Sequence, residues 1–122
     1  MLHASGIMPV LRVTDMQKAI DWYTDQLGFE LCWRKQGDRG GENSMLRAGA
    51  ATMMLSTGQH LGAKPALTGT LYFNVEDVAQ LYESVKNSVD LVWPLETMDY
   101  GTVEFGIRDC DGYVLAFAEQ RH

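Results

Sequence analysis

Apolar and polar positions along the chain change period in a fixed order. "IMPVLRVTD" alternates as a strand does and stops at Asp15, whose carboxylate suits a helix N-cap. In "MQKAIDWYTDQL" the apolar Met16, Ala19, Ile20, Tyr23 and Leu27 recur at helical spacing, and Gly28 ends the run. Three strand patterns follow, "FELCWRK", "ENSMLRA" and "ATMMLS", punctuated by Gly40, Gly41 and Gly49. The second half has the same order. "GTLYFNVED" ends at Asp77, "VAQLYESVKN" places Val78, Leu81, Tyr82 and Val85 on one helical face, and "DLVWPLE", "TVEFGIRD" and "GYVLAFAE" read as strands.

A shift of 62 residues lays Met8 on Thr70, Val13 on Val75, Asp15 on Asp77, Ala50 on Gly112 and Met54 on Ala116. One offset therefore fits both the first strand and the last hairpin of each half, which predicts a duplicated strand-helix-strand-strand-strand unit. The expected organisation is a single domain, 1–122, with module one at 6–56, a Gly-rich polar linker at 57–69 and module two at 70–120. The class is α+β, paired βαβββ modules with curved mixed sheets. Alternation assigns Leu11, Val13, Leu71, Phe73 and Val75 to the helix side, and Met8, Val10, Arg12, Thr70, Tyr72 and Asn74 to a concave face.

Composition adds mostly exclusions. With 46% hydrophobic and 21% charged residues the chain is ordinary globular protein. A net charge of -6 and scattered basic residues argue against nucleic acid, which needs clustered Lys and Arg. No apolar run reaches the roughly 20 residues of a membrane helix. "MLHASGIMPV" lacks the basic start and apolar core of a signal peptide, so a cytoplasmic location is expected. Cys32 and Cys110 share no metal or redox spacing and read as free thiols. His3, His60 and His122 match no ligand motif, and neither a Ser/His/Asp arrangement nor a phosphate loop is present.

The "V.D...A..WY...LGF" pattern from Val13 to Phe29, followed by the "RD.DGY" turn from Arg108 to Tyr113, resembles the glyoxalase/bleomycin-resistance/dioxygenase superfamily, also called vicinal oxygen chelate proteins. The resemblance spans nearly the whole chain and implies paired βαβββ modules, commonly in a homodimer with clefts between modules or subunits. In metal-dependent members that resemble this chain, four His, Gln or Glu ligands occupy the first and last strands of the modules. The matching positions here are Met8, Met54, Thr70 and Ala116. Thioethers are soft and weak ligands, a threonine hydroxyl is poor, and alanine offers nothing. Neither metal nor cofactor is expected, and no catalytic residue is assigned.

What is expected is a pocket lined by aromatics and methionines, in the cleft that the curved sheets surround. Its candidate residues are Met8, Arg12, Trp33, Met54, Thr70, Tyr72, Trp93, Tyr100, Glu104 and Ala116. Glu104 falls between Val103 and Phe105, so its carboxylate should face away from the packed side. "MDYGTVEF" resembles the aromatic-Gly...EF stretch of bleomycin-resistance-type proteins, which sequester an antibiotic without chemistry. The expectation is a metal-independent protein that binds an antibiotic or another amphipathic aromatic compound. The alternatives are a divergent metalloenzyme (glyoxalase, dioxygenase or thiol transferase) and a scaffold domain with a closed cavity.

Overall fold

A computed structural model describes residues 1–37 and 40–120. The chain divides into two compact units, Met1–Pro65 and Ala66–His122. In the first, β1 (Val10–Arg12), α1 (Met16–Leu27), β2 (Glu30–Gln36), β3 (Glu42–Ala48) and β4 (Ala51–Ser56) form a sheet of order β1-β4-β3-β2. In the second, β5 (Thr70–Asn74), α2 (Val78–Val85), β6 (Asp90–Thr97), β7 (Thr102–Arg108) and β8 (Val114–Gln120) form a sheet of order β5-β8-β7-β6. Each sheet has one parallel pair, β1 with β4 and β5 with β8, and is otherwise antiparallel. The helix of each unit supplies the crossover that a parallel pair requires.

Both helices start as their N-caps dictate. Asp15 accepts from the Lys18 amide at 3.1 Å and Asp77 from the Gln80 amide at 3.2 Å. Glu119, on the helix side of β8, accepts from the Val78 amide at 3.0 Å and so ties the sheet to the first turn of α2. Gly28 ends α1 at φ 73°.

The core of the first unit is Met16, Ala19, Ile20 and Tyr23 of α1 with Leu11, Leu46, Met53 and Leu55 of the sheet, all buried. The second unit is more aromatic on this side. Phe105 meets Tyr82 edge-on at 5.1 Å and Phe117 at 5.2 Å, and Phe117 stacks on Phe73 at 5.3 Å.

Two expectations need correcting. The first strand is shorter than its pattern: β1 opens at Val10, because Pro9 has no N–H for the ladder and only its carbonyl is used, accepting from Met54 N at 2.9 Å. Met8 thus lies ahead of the strand and exposed, whereas Thr70 is the first residue of β5. The repeat offset is also not constant. Registers equate Met54 with Ala116 at 62, Met45 with Gly106 at 61 and Trp33 with Trp93 at 60. One residue is added in the turn after β7, and another at the irregularity between Trp93 and Glu96, where Pro94 interrupts β6.

Candidate functional site

Strand registers place four rows of side chains opposite the helices, two per unit. In the first unit, Val10, Met54, Met45 and Trp33 lie across from one another, and beside them Arg12, Ser56, Asn43 and Lys35. In the second unit the matching rows are Tyr72, Ala116, Gly106 and Trp93, then Asn74, Ala118, Glu104 and Glu96.

The second unit builds a polar cluster on this face. Glu104 is fully buried, yet its carboxylate accepts three hydroxyls: Tyr100 Oη at 2.7 Å and Thr102 Oγ1 at 2.8 Å on one oxygen, Tyr72 Oη at 3.0 Å on the other. Thr102 shares the face because it stands two residues before Glu104 on β7. Tyr100 reaches in from the β6–β7 turn, which Gly101 closes at φ 96°. The cover over the carboxylate is thin, since Tyr72 and Tyr100 are themselves 53% and 59% exposed.

All three hydroxyls can donate to the carboxylate at once, an arrangement that favours its ionised form. Burial pushes the Glu104 pKa up, but the hydroxyls of Tyr100, Thr102 and Tyr72 outweigh it and hold the group below the usual carboxylate range. The same bond to Glu104 pushes the Tyr100 phenol well above its ordinary value. Tyr100 therefore keeps its proton at neutral pH and donates it to Glu104. Among the described residues no Lys, Arg or His pairs with Glu104.

Beside the cluster, Trp93 rests on Gly106. A Cβ at Gly106 would stand 2.5–2.6 Å from Cζ3, Cε3 and Cη2 of the indole. Such near-equal distances to consecutive ring atoms put that point over the ring face, so the indole lies flat on the strand and only glycine fits beneath it. The Trp93 Nε1–H is buried and, among the described residues, has no partner at hydrogen-bond geometry, yet it lies close enough to Glu104 to draw its pKa down.

Of the sequence candidates, Thr70, Tyr72, Trp93, Glu104 and Ala116 share this face of the second unit, and Tyr100 joins them from its turn. Ala116 is fully buried and forms floor. Arg12, Trp33 and Met54 share the corresponding face of the first unit, where Arg12 Nε donates to the Gly62 carbonyl at 3.0 Å and Lys35 Nζ lies 4.5 Å from the Trp33 ring. Met8 belongs to neither ladder. Thr102, Gly106 and Glu96 were not singled out from the sequence. The signal for the first two was the alternation T-V-E-F-G, which puts positions 102, 104 and 106 on one side, with a glycine inside a strand marking a close approach.

The donor set does not fit the metal of the metal-dependent relatives. Met8, Met54, Thr70 and Ala116 supply two thioethers, a hydroxyl and a methyl group. Among the described residues no group of three or more His, Cys, Asp or Glu could hold a metal ion.

Residues 3–117 match the sequence profile of the Glyoxalase/Bleomycin resistance protein/Dioxygenase superfamily. The chain belongs to this superfamily. Solved structures agree in fold. A glyoxylase/bleomycin resistance protein/dioxygenase domain from Frankia sp. EAN1pec superposes with a TM-score of 0.79 at 23% identity, covering 98% of this chain and 100% of that one. TioX from Micromonospora sp. ML1 gives 0.74 at 24% identity, with 94% and 99% covered. TnmS3, an antibiotic binding protein from Streptomyces sp. CB03234, gives 0.74 at 18% identity, with 97% and 99% covered. No curated protein sequence matches the chain. As in its superfamily relatives, the βαβββ unit occurs twice, and no helix among the described residues is long and apolar enough to cross a membrane.

Proposed function

We propose that this superfamily member binds a small amphipathic aromatic compound without a metal cofactor, on the face of the second unit's sheet opposite α2. One observation carries the reading: two exposed tyrosines and a flat tryptophan surround a buried, ionised Glu104. Aromatic surface with a few oriented polar groups is the usual make-up of a small-molecule site. Polar clusters of this kind are costly to build in a sheet that only needs a solvated side. The likeness in fold to an antibiotic binding protein supports the same direction. Unsuitable donors at Met8, Met54, Thr70 and Ala116 support the metal-free part, and elemental analysis showing one tightly bound metal per chain would overturn it.

The binding part is tested with proflavine, a planar dye, by equilibrium dialysis. The parent should bind it saturably. Trp93→Ala should weaken binding roughly tenfold, the equivalent of about 1.4 kcal/mol. Undiminished binding by that variant would put the site elsewhere. We also propose a homodimer, supported by the exposed apolar Leu2, Ile7, Met8 and Val10 and by the unpaired edges of β1, β2, β5 and β6. Light scattering giving a monomer at high micromolar concentration would contradict this.

A further inference from the structure

We infer that the site on the second unit selects organic cations: a flat ring stacked on Trp93, carrying a positive nitrogen held against Tyr72 and Tyr100 with Glu104 behind them as the counter-charge. The inference rests on the binding reading above and names its ligand class.

Charge balance is the first argument. Glu104 accepts three neutral hydroxyls and has no cationic side chain among the described residues to pair with. A buried carboxylate satisfied only by neutral donors leaves a net negative charge under a thin cover. Its neighbour across the strands is Glu96, a second carboxylate on the same row, and the remaining members of that row, Asn74 and Ala118, bring no positive charge.

The cover itself is the second argument. Both phenols point their hydroxyls inward to Glu104 while remaining more than half exposed, so rings and not polar tips meet whatever approaches. A phenol donating to a carboxylate gains electron density, which strengthens the attraction of its ring for a cation. Glu104 cannot be touched directly without moving a tyrosine. Its charge therefore acts through the rings, which favours a diffuse organic cation over a small, strongly hydrated metal ion. Trp93 adds a stacking platform whose lower face is taken up by Gly106.

The test compares N-methylacridinium with acridine, which have nearly the same shape, in mildly alkaline buffer where only the first is charged, by isothermal titration calorimetry. The parent should bind N-methylacridinium roughly tenfold or more tightly than acridine. Glu104→Gln should bring the two affinities to within about threefold by removing the charge. Thr102→Val removes one hydroxyl and leaves the carboxylate, so it should keep or widen the preference. A purely structural role for Glu104 predicts the opposite, because either variant would then weaken both dyes alike. If Glu104→Gln fails to fold, the parent's preference and the Thr102→Val result decide. Equal affinities in the parent overturn the cation inference and leave the binding reading standing; binding of neither dye overturns both.

Discussion

The two units share a fold and differ in what they do with the side of the sheet that no helix covers. Row for row, the first unit places Arg12, Ser56, Asn43 and Lys35 where the second places Asn74, Ala118, Glu104 and Glu96. Lys35 of the first copy gives way to Glu96 in the second, Asn43 to Glu104 and Arg12 to Asn74, so the row loses both its cations and gains two carboxylates. In the adjacent row, Met45 faces Trp33 and Gly106 faces Trp93. Glycine at 106 lets the Trp93 indole lie flat on the strand, in space that a side chain at that position would occupy. Both copies keep a packed helix side, more aromatic in the second unit, whereas on the opposite side they differ in charge and polarity, so function is sought there.

The sharpest break in this comparison should come from giving the second unit a side chain like that of the first at Gly106. Gly106→Val places atoms where the Trp93 ring now sits, forcing the indole away. Overpacking of this kind costs about 1–3 kcal/mol. Urea unfolding should show the loss together with a shift in tryptophan emission, and Met45→Val in the first unit should show neither to the same extent. Equal effects at the two positions would mean that the flat indole is not special to the second unit.

Removing the carboxylate comes next. Glu104→Ala strands three hydroxyls, and each buried group left without a partner costs about 1–3 kcal/mol, reduced here because Tyr72 and Tyr100 can turn to solvent. The loss should therefore be about 1–2 kcal/mol. Asn43→Ala, at the matching place in the first unit, should cost less. The pH dependence carries a sign. Because the folded pKa of Glu104 lies below its ordinary 4.5, its stabilisation is fully present above that value and is lost as pH falls through the lowered folded pKa. Glu104→Gln should remove this part of the acid-side decline, and an unchanged decline would contradict the account of the cluster.

The smallest effect concerns the turns that close the last hairpins. The first unit uses Gly49 and Ala50 between paired Ala48 and Ala51, with Gly49 at φ 60°. The second uses a longer turn, in which Asp109 Oδ1 accepts from the amides of Asp111 and Tyr113 at 2.8 and 2.9 Å and Gly112 sits at φ 90°. Gly112→Val should cost about 1 kcal/mol for that backbone region, seen as a lower Tm, while Cys110→Ser should be nearly neutral. Equal Tm values for the two variants would refute the strain argument.

Much of the fold was legible because local rules carry it. Asp15 and Asp77 cap the helices whose apolar spacing follows them, and β3 and β4 coincide with their alternating patterns. Glu104 was placed on the correct side from its neighbours Val103 and Phe105 alone. What escaped depends on contacts distant in sequence or on interruptions of period. The Tyr72–Glu104 bond joins residues 32 apart through strand pairing, the irregularity at Pro94 shifts every later register by one, and Pro9 shortens β1 and leaves Met8 outside it. Gly106 was visible only as a glycine in a strand, and its meaning comes from the indole that lies on it.

The central claim, that the ligand sits on the second unit and not at the corresponding place on the first, is tested most directly by the indole N–H signals in a proton–nitrogen NMR spectrum. The chain has three tryptophans, so three such signals are expected, assigned by replacing Trp22, Trp33 and Trp93 singly with phenylalanine. On titration with N-methylacridinium the Trp93 signal should move furthest, since its buried N–H lies beside Glu104 at the proposed stacking platform, while the signals of Trp22 and Trp33 stay in place. Movement of the Trp33 signal with Trp93 unmoved would contradict the account.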